Sequence, residues 1–313
     1  MPYNSIISRD DADALIPEDV SAEIIKNMTE SSIVMKLGKK LANMSRAQTR
    51  MPVLNLFPIG YFVGGDTGLK KTTKLSWKDV YINAEEIAVF VPISKAVLDD
   101  VDYDIWGECK PLIAEEFGRV FDAAVLFGDN APADWPDDIL TASVAAGNDT
   151  VIGVGADLYE DIMDVDGVIA AVEADGYFHT GSAADISMRA RLRGLRDADG
   201  NLIFTKSMQE GSSYFLDGEQ MYFPRNGCWD VTQAHLILGE WEKLVWSLRQ
   251  DITYDVFDQA VIQDAAGAIV YNLAQQDMVA LRAVMRIGWQ VPNPINRLEE
   301  TEADRYPFSV LIP

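Results

Sequence analysis

The sequence predicts an α+β chain of two lobes with a projecting two-stranded arm. Three observations lead there. Residues 49–57 and 75–82 read as strands, apolar residues alternate over 87–93 with the period of a half-buried strand, and a helical stripe runs through 102–128. A proline- and acid-rich stretch at 129–138 then separates this region from a second mixed one. With 313 residues, 48% of them hydrophobic, the chain is long enough for one large or two ordinary cores.

Taken in order, 19–44 carries Val20, Ile24, Ile25, Met28, Val34, Leu37 and Leu41, a loosely amphipathic pattern that predicts one or two short helices. The strand at 49–57 stops before Pro58. Its partner at 75–82 places Trp77 and Tyr81 on one face and Lys78 on the other, with Lys74 in register just before it. Pro58-Ile59-Gly60 and Gly64-Gly65-Asp66-Thr67-Gly68 mark the intervening segment as a long hairpin loop. Folded back on itself at about 3.3 Å per residue, such an arm reaches roughly 45 Å, beyond the roughly 20 Å radius of gyration of a compact chain this size. A ribbon of that kind is marginal alone in water, so it is expected to lie on a neighbour.

The strand at 87–93 precedes the longest helix, 102–128, with Asp104 as N-cap, Ile113, Phe117, Val120, Phe121, Ala124 and Phe127 as its stripe, and Gly128 as its end. Pro111 implies that this helix starts near Cys109 or kinks there. The second region reads as helices at 157–174 and 186–195, a strand pair at 214–223 and a strand at 235–238. Extended segments follow at 252–257 and 279–291, and 293–313 reads as a polar tail with a short apolar end.

Charge is segregated along the chain. The total is 49 acidic against 26 basic residues, −23 at pH 7, which opposes binding of nucleic-acid phosphates by a basic surface. Yet from Ser31 to Lys78 nine basic residues face Asp66 alone, whereas no Lys or Arg stands between Arg119 and Arg189, where 14 Asp or Glu occur. Blocks this pure suit contact between copies of the chain as well as plain solvation.

Catalytic and metal motifs are missing. His179 and His235 are isolated, Cys109 and Cys228 form no CxxC, and no GxSxG, GxxxxGK[ST] or GxGxxG occurs, so no catalytic, cofactor-binding or metal residues are expected. Asp164, Asp166, Gly167 and Glu173 fall at positions 3, 5, 6 and 12 of a calcium loop, but position 1 is Ile162, which offers no oxygen. A metal-dependent hydrolase built on the acidic patch 157–166 is the remaining catalytic reading. Residues 1–17 lack a signal peptide's basic and apolar blocks, and no apolar stretch is long enough to span a membrane, so a soluble cytosolic chain is expected. Arg189, Arg193 and Arg196 share a helical face, suited to ion pairs within the lobe or with an adjacent copy.

The order of these features resembles the major capsid proteins of tailed bacteriophages with the Hong Kong ninety-seven fold. The similar segments are Thr73-Lys74-Leu75-Ser76-Trp77 closing a basic loop, Ala88-Val89-Phe90-Val91-Pro92-Ile93-Ser94, and Asp122-Ala123-Ala124-Val125-Leu126-Phe127-Gly128 in the long helix. Glu173-Ala174-Asp175-Gly176-Tyr177, Gly239-Glu240-Trp241 and Val279-Ala280-Leu281-Arg282-Ala283 follow further on. The resemblance covers about 17–294. It implies an N-terminal arm (1–48), an extended loop or E-loop (49–82), a peripheral domain with a spine helix (83–130 and 251–292), an axial domain (131–250) and a C-terminal segment (293–313).

It further implies a structural protein and not an enzyme: a shell subunit forming pentamers and hexamers, assembled in the host cytoplasm and resident in the virion, around double-stranded DNA that it does not read by sequence. Because the arm begins within about the first twenty residues, scaffolding is expected from a separate protein if it is needed; portal and decoration proteins are the other expected partners. Candidate inter-subunit contacts are Lys70, Lys71, Lys74, Trp77, Lys78, Arg189, Arg193 and Arg196. The rival of the same fold is an encapsulin-like compartment around a cargo enzyme.

Overall fold

The computed structural model describes residues 32–64, 68–100, 105–155, 157–196, 199, 201 and 214–313. Val20, Ile24, Ile25 and Met28, read as helical, and Asp104, read as an N-cap, lie outside them. The Ser32 hydroxyl accepts the Met35 N–H and so caps a short helix, α1 (Ile33–Leu37), which leads into β1 (Lys39–Lys40). The first alternating runs form the antiparallel ribbon of β2 (Gln48–Leu56) and β3 (Ser76–Asn83), followed by β4 (Glu85–Ser94) and α2 (Lys95–Asp100).

The long helix α3 spans Ile105–Phe127 and ends at Gly128, whose φ of 72° only glycine adopts freely. It starts earlier than Pro111 suggests. The proline sits two turns in, where its cost is the N–H that would have bonded the Gly107 carbonyl. Ile113, Phe117, Phe121, Ala124 and Phe127 are buried as the stripe requires, so core packing holds the helix together across that gap.

Next come α4 (Ile139–Ala146), β5 (Asp149–Val151), α5 (Leu158–Met163) and α6 (Val168–Ala174). The single helix expected over 157–174 is two. The chain turns between them at Gly167, where a β-carbon would lie 2.8 Å from the Ile162 carbonyl, a fit that excludes any side chain. Then follow β6 (Gly181–Ala184), α7 (Met188–Gly194), β7 (Tyr214–Leu216), β8 (Glu219–Tyr222) and β9 (Leu236–Gly239). Because α7 ends at Gly194, Arg196 lies past the helix and its helical periodicity with Arg189 and Arg193 does not hold.

The chain returns as β10 (Val245–Phe257), the hairpin β11 (Val261–Gln263) and β12 (Ile269–Asn272), a helical turn α8 (Leu273–Gln276), and β13 (Met278–Gln290). β10 begins at 245 and not 252. Val245, Trp246, Ser247 and Leu248 are all buried, so both faces are covered and the alternating signal is lost. The last strand, β14 (Phe308–Ile312), corrects the reading of 293–313 as a tail: it pairs antiparallel with β9 and parallel with β5 inside a sheet of order β5-β14-β9-β6-β8-β7.

A second sheet runs β1-β10-β13-β4, its two central strands antiparallel from Val245 opposite Gln290 to Phe257 opposite Ala280, with register shifts between Leu248 and Thr253. One apolar cluster joins α3 (Phe117, Phe121, Leu126), this sheet (Trp246, Leu281, Trp289) and the six-stranded sheet (Ile237, Phe308, Val310). Each such side chain contributes roughly 1.5–3 kcal/mol by leaving water. The body is therefore well anchored, and the β2–β3 ribbon, which belongs to neither large sheet, packs on it through the buried Ile82, which meets Val245 and Met44.

Candidate assembly surface

The ribbon and its loop are left largely uncovered by their own chain. Register runs from Gln48 opposite Asn83 to Leu54 opposite Trp77, with a shift before Leu56 opposite Ser76. Val53 and Ile82 are buried, but Trp77 is 64% exposed, and Ile59, Phe62 and Leu69 in the loop stand largely in water. Beside these apolar groups are the exposed lysines Lys70, Lys71 and Lys74. The loop has some order of its own: Thr73 Oγ1 accepts the Ile59 N–H at 2.9 Å, the Tyr61 hydroxyl donates to the Lys71 carbonyl at 2.8 Å, and the Lys71 ammonium lies 5.8 Å from the Tyr61 ring centre. Apolar side chains and lysines thus stand exposed together on an element that is marginal by itself.

The root of the ribbon is fixed from three sides. Asn83 donates its side-chain amide to the Asp134 carbonyl at 2.7 Å and accepts, through its own carbonyl, the Trp135 indole N–H at 3.1 Å. Trp135 meets Phe121 of α3 and Trp289 of β13 edge to face, so one ring ties ribbon, helix and sheet together. Gly288 lets β13 approach: a β-carbon there would be 2.4 Å from the Asn83 carbonyl oxygen.

The eight candidate contacts divide into two groups on different elements. Lys70, Lys71 and Lys74 lie in the loop and Trp77 and Lys78 on β3. Lys78 is ion-paired with Glu302 of its own chain, a partner 224 positions away that no sequence pattern announces. Arg189 and Arg193 are on α7, in the other lobe. Arg189 lies over the rings of Tyr214 and Phe223 at 4.7 and 5.5 Å, and Arg193 donates from Nε to the Arg189 carbonyl. These contacts orient the arginines within the lobe.

A second anchor holds the start of α1 on the long helix. Asp122 is fully buried and accepts four hydrogen bonds, from Ser32 Oγ (2.6 Å), the Ile33 and Val34 N–H groups (3.0 and 3.1 Å) and Asn226 Nδ2 (3.2 Å). Desolvation outweighs these donors and pushes its carboxyl up to about 6. The sequence signal for this site is an acid inside the apolar run from Phe121 to Phe127, which sequence reasoning passed over.

Little else is equipped for chemistry. Burial raises the Cys228 thiol far above its ordinary value, with the Asp122 charge adding to it, so it is not a thiolate nucleophile. Desolvation lowers both His179 and His235. Asp161, next to the calcium-loop match, instead accepts the Gly153 and Gly155 N–H groups, each at 2.7 Å. Among the described residues no three His, Cys, Asp or Glu are gathered to hold a metal, and no helix is long and apolar enough to cross a membrane.

Comparison with known proteins gives the family and the fold. Residues 12–296 match the model of the phage capsid family. The major capsid protein of Staphylococcus phage 80alpha is 26% identical over 316 residues, covering 99% of this chain and 88% of that protein. A solved structure from Microbacterium phage Oxtober96 superposes with a TM-score of 0.79 at 33% identity, covering 99% of this chain and all of that one. Another, from Mycobacterium phage Cain, gives 0.78 at 30% identity over 99% of both chains.

Proposed function

The chain belongs to the phage capsid family, as a major capsid protein of a tailed phage, and from that premise we propose that its β2–β3 ribbon is the clasp that joins each copy to the next in an icosahedral shell around double-stranded DNA. The observation that carries this is the exposed apolar and cationic loop, with Phe62, Leu69 and Trp77 in water beside Lys70, Lys71 and Lys74. The complementary surface on the neighbour is the acidic stretch from Arg119 to Arg189, with Arg193 and Arg196 as further contacts. We retain the division into an arm (1–48), a loop (49–82), a peripheral domain (83–130 and 251–292) and an axial domain (131–250). The strand pairing of β14 favours counting the end of segment 293–313 with the axial sheet.

On this reading the subunits form pentamers and hexamers, assemble in the host cytoplasm and perform no catalysis. Portal and decoration proteins are their further partners, with a scaffolding protein where assembly needs one. Phage relatives favour a genome shell over a compartment enclosing a cargo enzyme.

The test replaces Lys70, Lys71 and Lys74 together by glutamate. Single exposed pairs contribute only about 0–1 kcal/mol, so Lys70→Ala is expected to form particles. The triple variant places like charges against an acidic neighbour in every copy, and is expected to keep its circular dichroism yet sediment as free subunits. Normal shells from the triple variant would put the interface elsewhere.

A further inference from the structure

The segment after β13 has no regular secondary structure, yet it is tightly organised. Arg305, only 2% exposed, donates from Nε to Asn293 Oδ1 (3.0 Å), from Nη1 to the Glu299 carbonyl (2.7 Å) and from Nη2 to the Asn293 carbonyl (3.4 Å). Asn293, at a φ of 42°, returns its side-chain amide to the Arg305 carbonyl at 2.7 Å. Residues 293 and 305 are thus pinned together, and the chain between them forms a closed, side-chain-filled loop.

One flank of this loop is fixed to the six-stranded lobe. The Tyr177 hydroxyl donates to Asn293 Oδ1, and the Asn296 amide to the Asp175 carbonyl. Its other flank reaches the ribbon at three points: the Ile295 N–H donates to the Leu54 carbonyl (3.2 Å), Arg297 donates to the Pro58 carbonyl (3.0 Å) while stacking 4.4 Å from the Phe57 ring, and Glu302 pairs with Lys78. All three lie toward the tip, well past the root at Gln48 and Asn83. A two-stranded ribbon does not hold a direction by itself. These contacts supply one.

We propose that the loop closed by Arg305 is a strap that sets the direction of the ribbon, and that Lys78 serves assembly through Glu302 of its own chain and not through a neighbour. Arg305, Arg297 and Glu302 are then positioning residues for the clasp. The inference rests on the clasp reading for its consequence, but the strap itself exists in a free subunit and is measured there.

The experiment compares Lys78→Glu, Glu302→Lys and the double swap. Amide exchange is followed over residues 48–56 and 76–83 in unassembled subunits, and particle yield by sedimentation. Each single change is expected to speed exchange in the ribbon by about three- to fivefold, the scale of one partly exposed pair, with exchange in β10 and β13 unchanged and particle yield reduced. The swap restores the pair in reverse and is expected to bring both readouts back. Arg297→Ala is expected to loosen the same amides, and Arg297→Lys, which keeps a cation over Phe57, to loosen them less. Unchanged exchange in the single variants, or a swap that fails to recover particles, overturns the proposal and returns Lys78 to a neighbour's surface. Because exchange is read before assembly, failure of the clasp in the triple-lysine test leaves the strap result intact.

Discussion

Asp122 accepts hydrogen bonds from four donors, which is the environment of an ionised carboxylate, while complete burial favours the neutral acid. Burial prevails, since the carboxyl stands at about 6 against an ordinary value of 3.8. The folded chain therefore takes up a proton between about pH 6 and 4 that the unfolded chain does not. The group's contribution is most favourable below about pH 4 and is lost as pH rises through 6, by up to about 3 kcal/mol. Asp122→Asn removes this titration and turns an NH₂ toward donors, leaving N–H groups unpaired at a cost of about 1–3 kcal/mol. The stability gap between wild type and variant, from urea unfolding of free subunits, is expected to be smallest above pH 7 and to widen toward pH 4. A gap that is flat or narrows with acid would mean that the carboxyl is not raised. At this scale the sequence was partly legible: Ile113, Phe117 and Phe121 were readable as core from their spacing, but an acid at 122 acquires its partners from residues near 32 and 226, which spacing cannot reveal.

Among the elements, β2, β3 and β4 could be read because one face of each meets water and alternation survives. β10 could be read only in its second half, because Val245 to Leu248 are covered on both sides. β14 was hidden for another reason: its five residues pair with strands ending at positions 151 and 239, and a short apolar end looks the same whether free or paired. Helices α5 and α6 merged in the reading because Ile162, Val168, Ile169 and Val172 keep a helical spacing across the turn at Gly167. The ribbon's attachment gives an element-level expectation. Gly288→Ala would drive a methyl group to 2.4 Å from the Asn83 carbonyl, forcing β13 and the ribbon root apart. Overpacking of this kind costs about 1–3 kcal/mol, and the accompanying loss of the Trp135 bond to Asn83 should appear as a changed indole fluorescence. Unfolding midpoint and emission both equal to wild type would mean that the root is looser than this geometry.

For the whole molecule, long-range and contact electrostatics oppose each other. Every copy carries −23, so approaching subunits repel, while on the proposed clasp the basic loop and the acidic 119–189 stretch attract at contact. This segregation was visible in the sequence; the pairing of Lys78 with Glu302, which removes one lysine from the free set, was not, because it joins distant parts of the chain. Salt separates the two effects by range. At 10 mM the Debye length is about 30 Å and repulsion between whole subunits is felt; at 150 mM it is about 8 Å, so that repulsion fades while pairs at a few ångströms persist; at 1 M it is about 3 Å and even these weaken. Apolar burial of Trp77, Phe62 and Leu69 is not screened at any of these strengths. Particle formation, followed by light scattering at fixed protein concentration, is therefore expected to rise from 10 mM to about 150 mM and to fall only modestly toward 1 M. In the triple-glutamate variant the contact term is repulsive, so its residual assembly should increase monotonically with salt. A wild type whose assembly is best at 10 mM and declines steadily would mean that attraction between loop and lobe dominates at all ranges, and that the net charge of the subunit has no influence on how shells form.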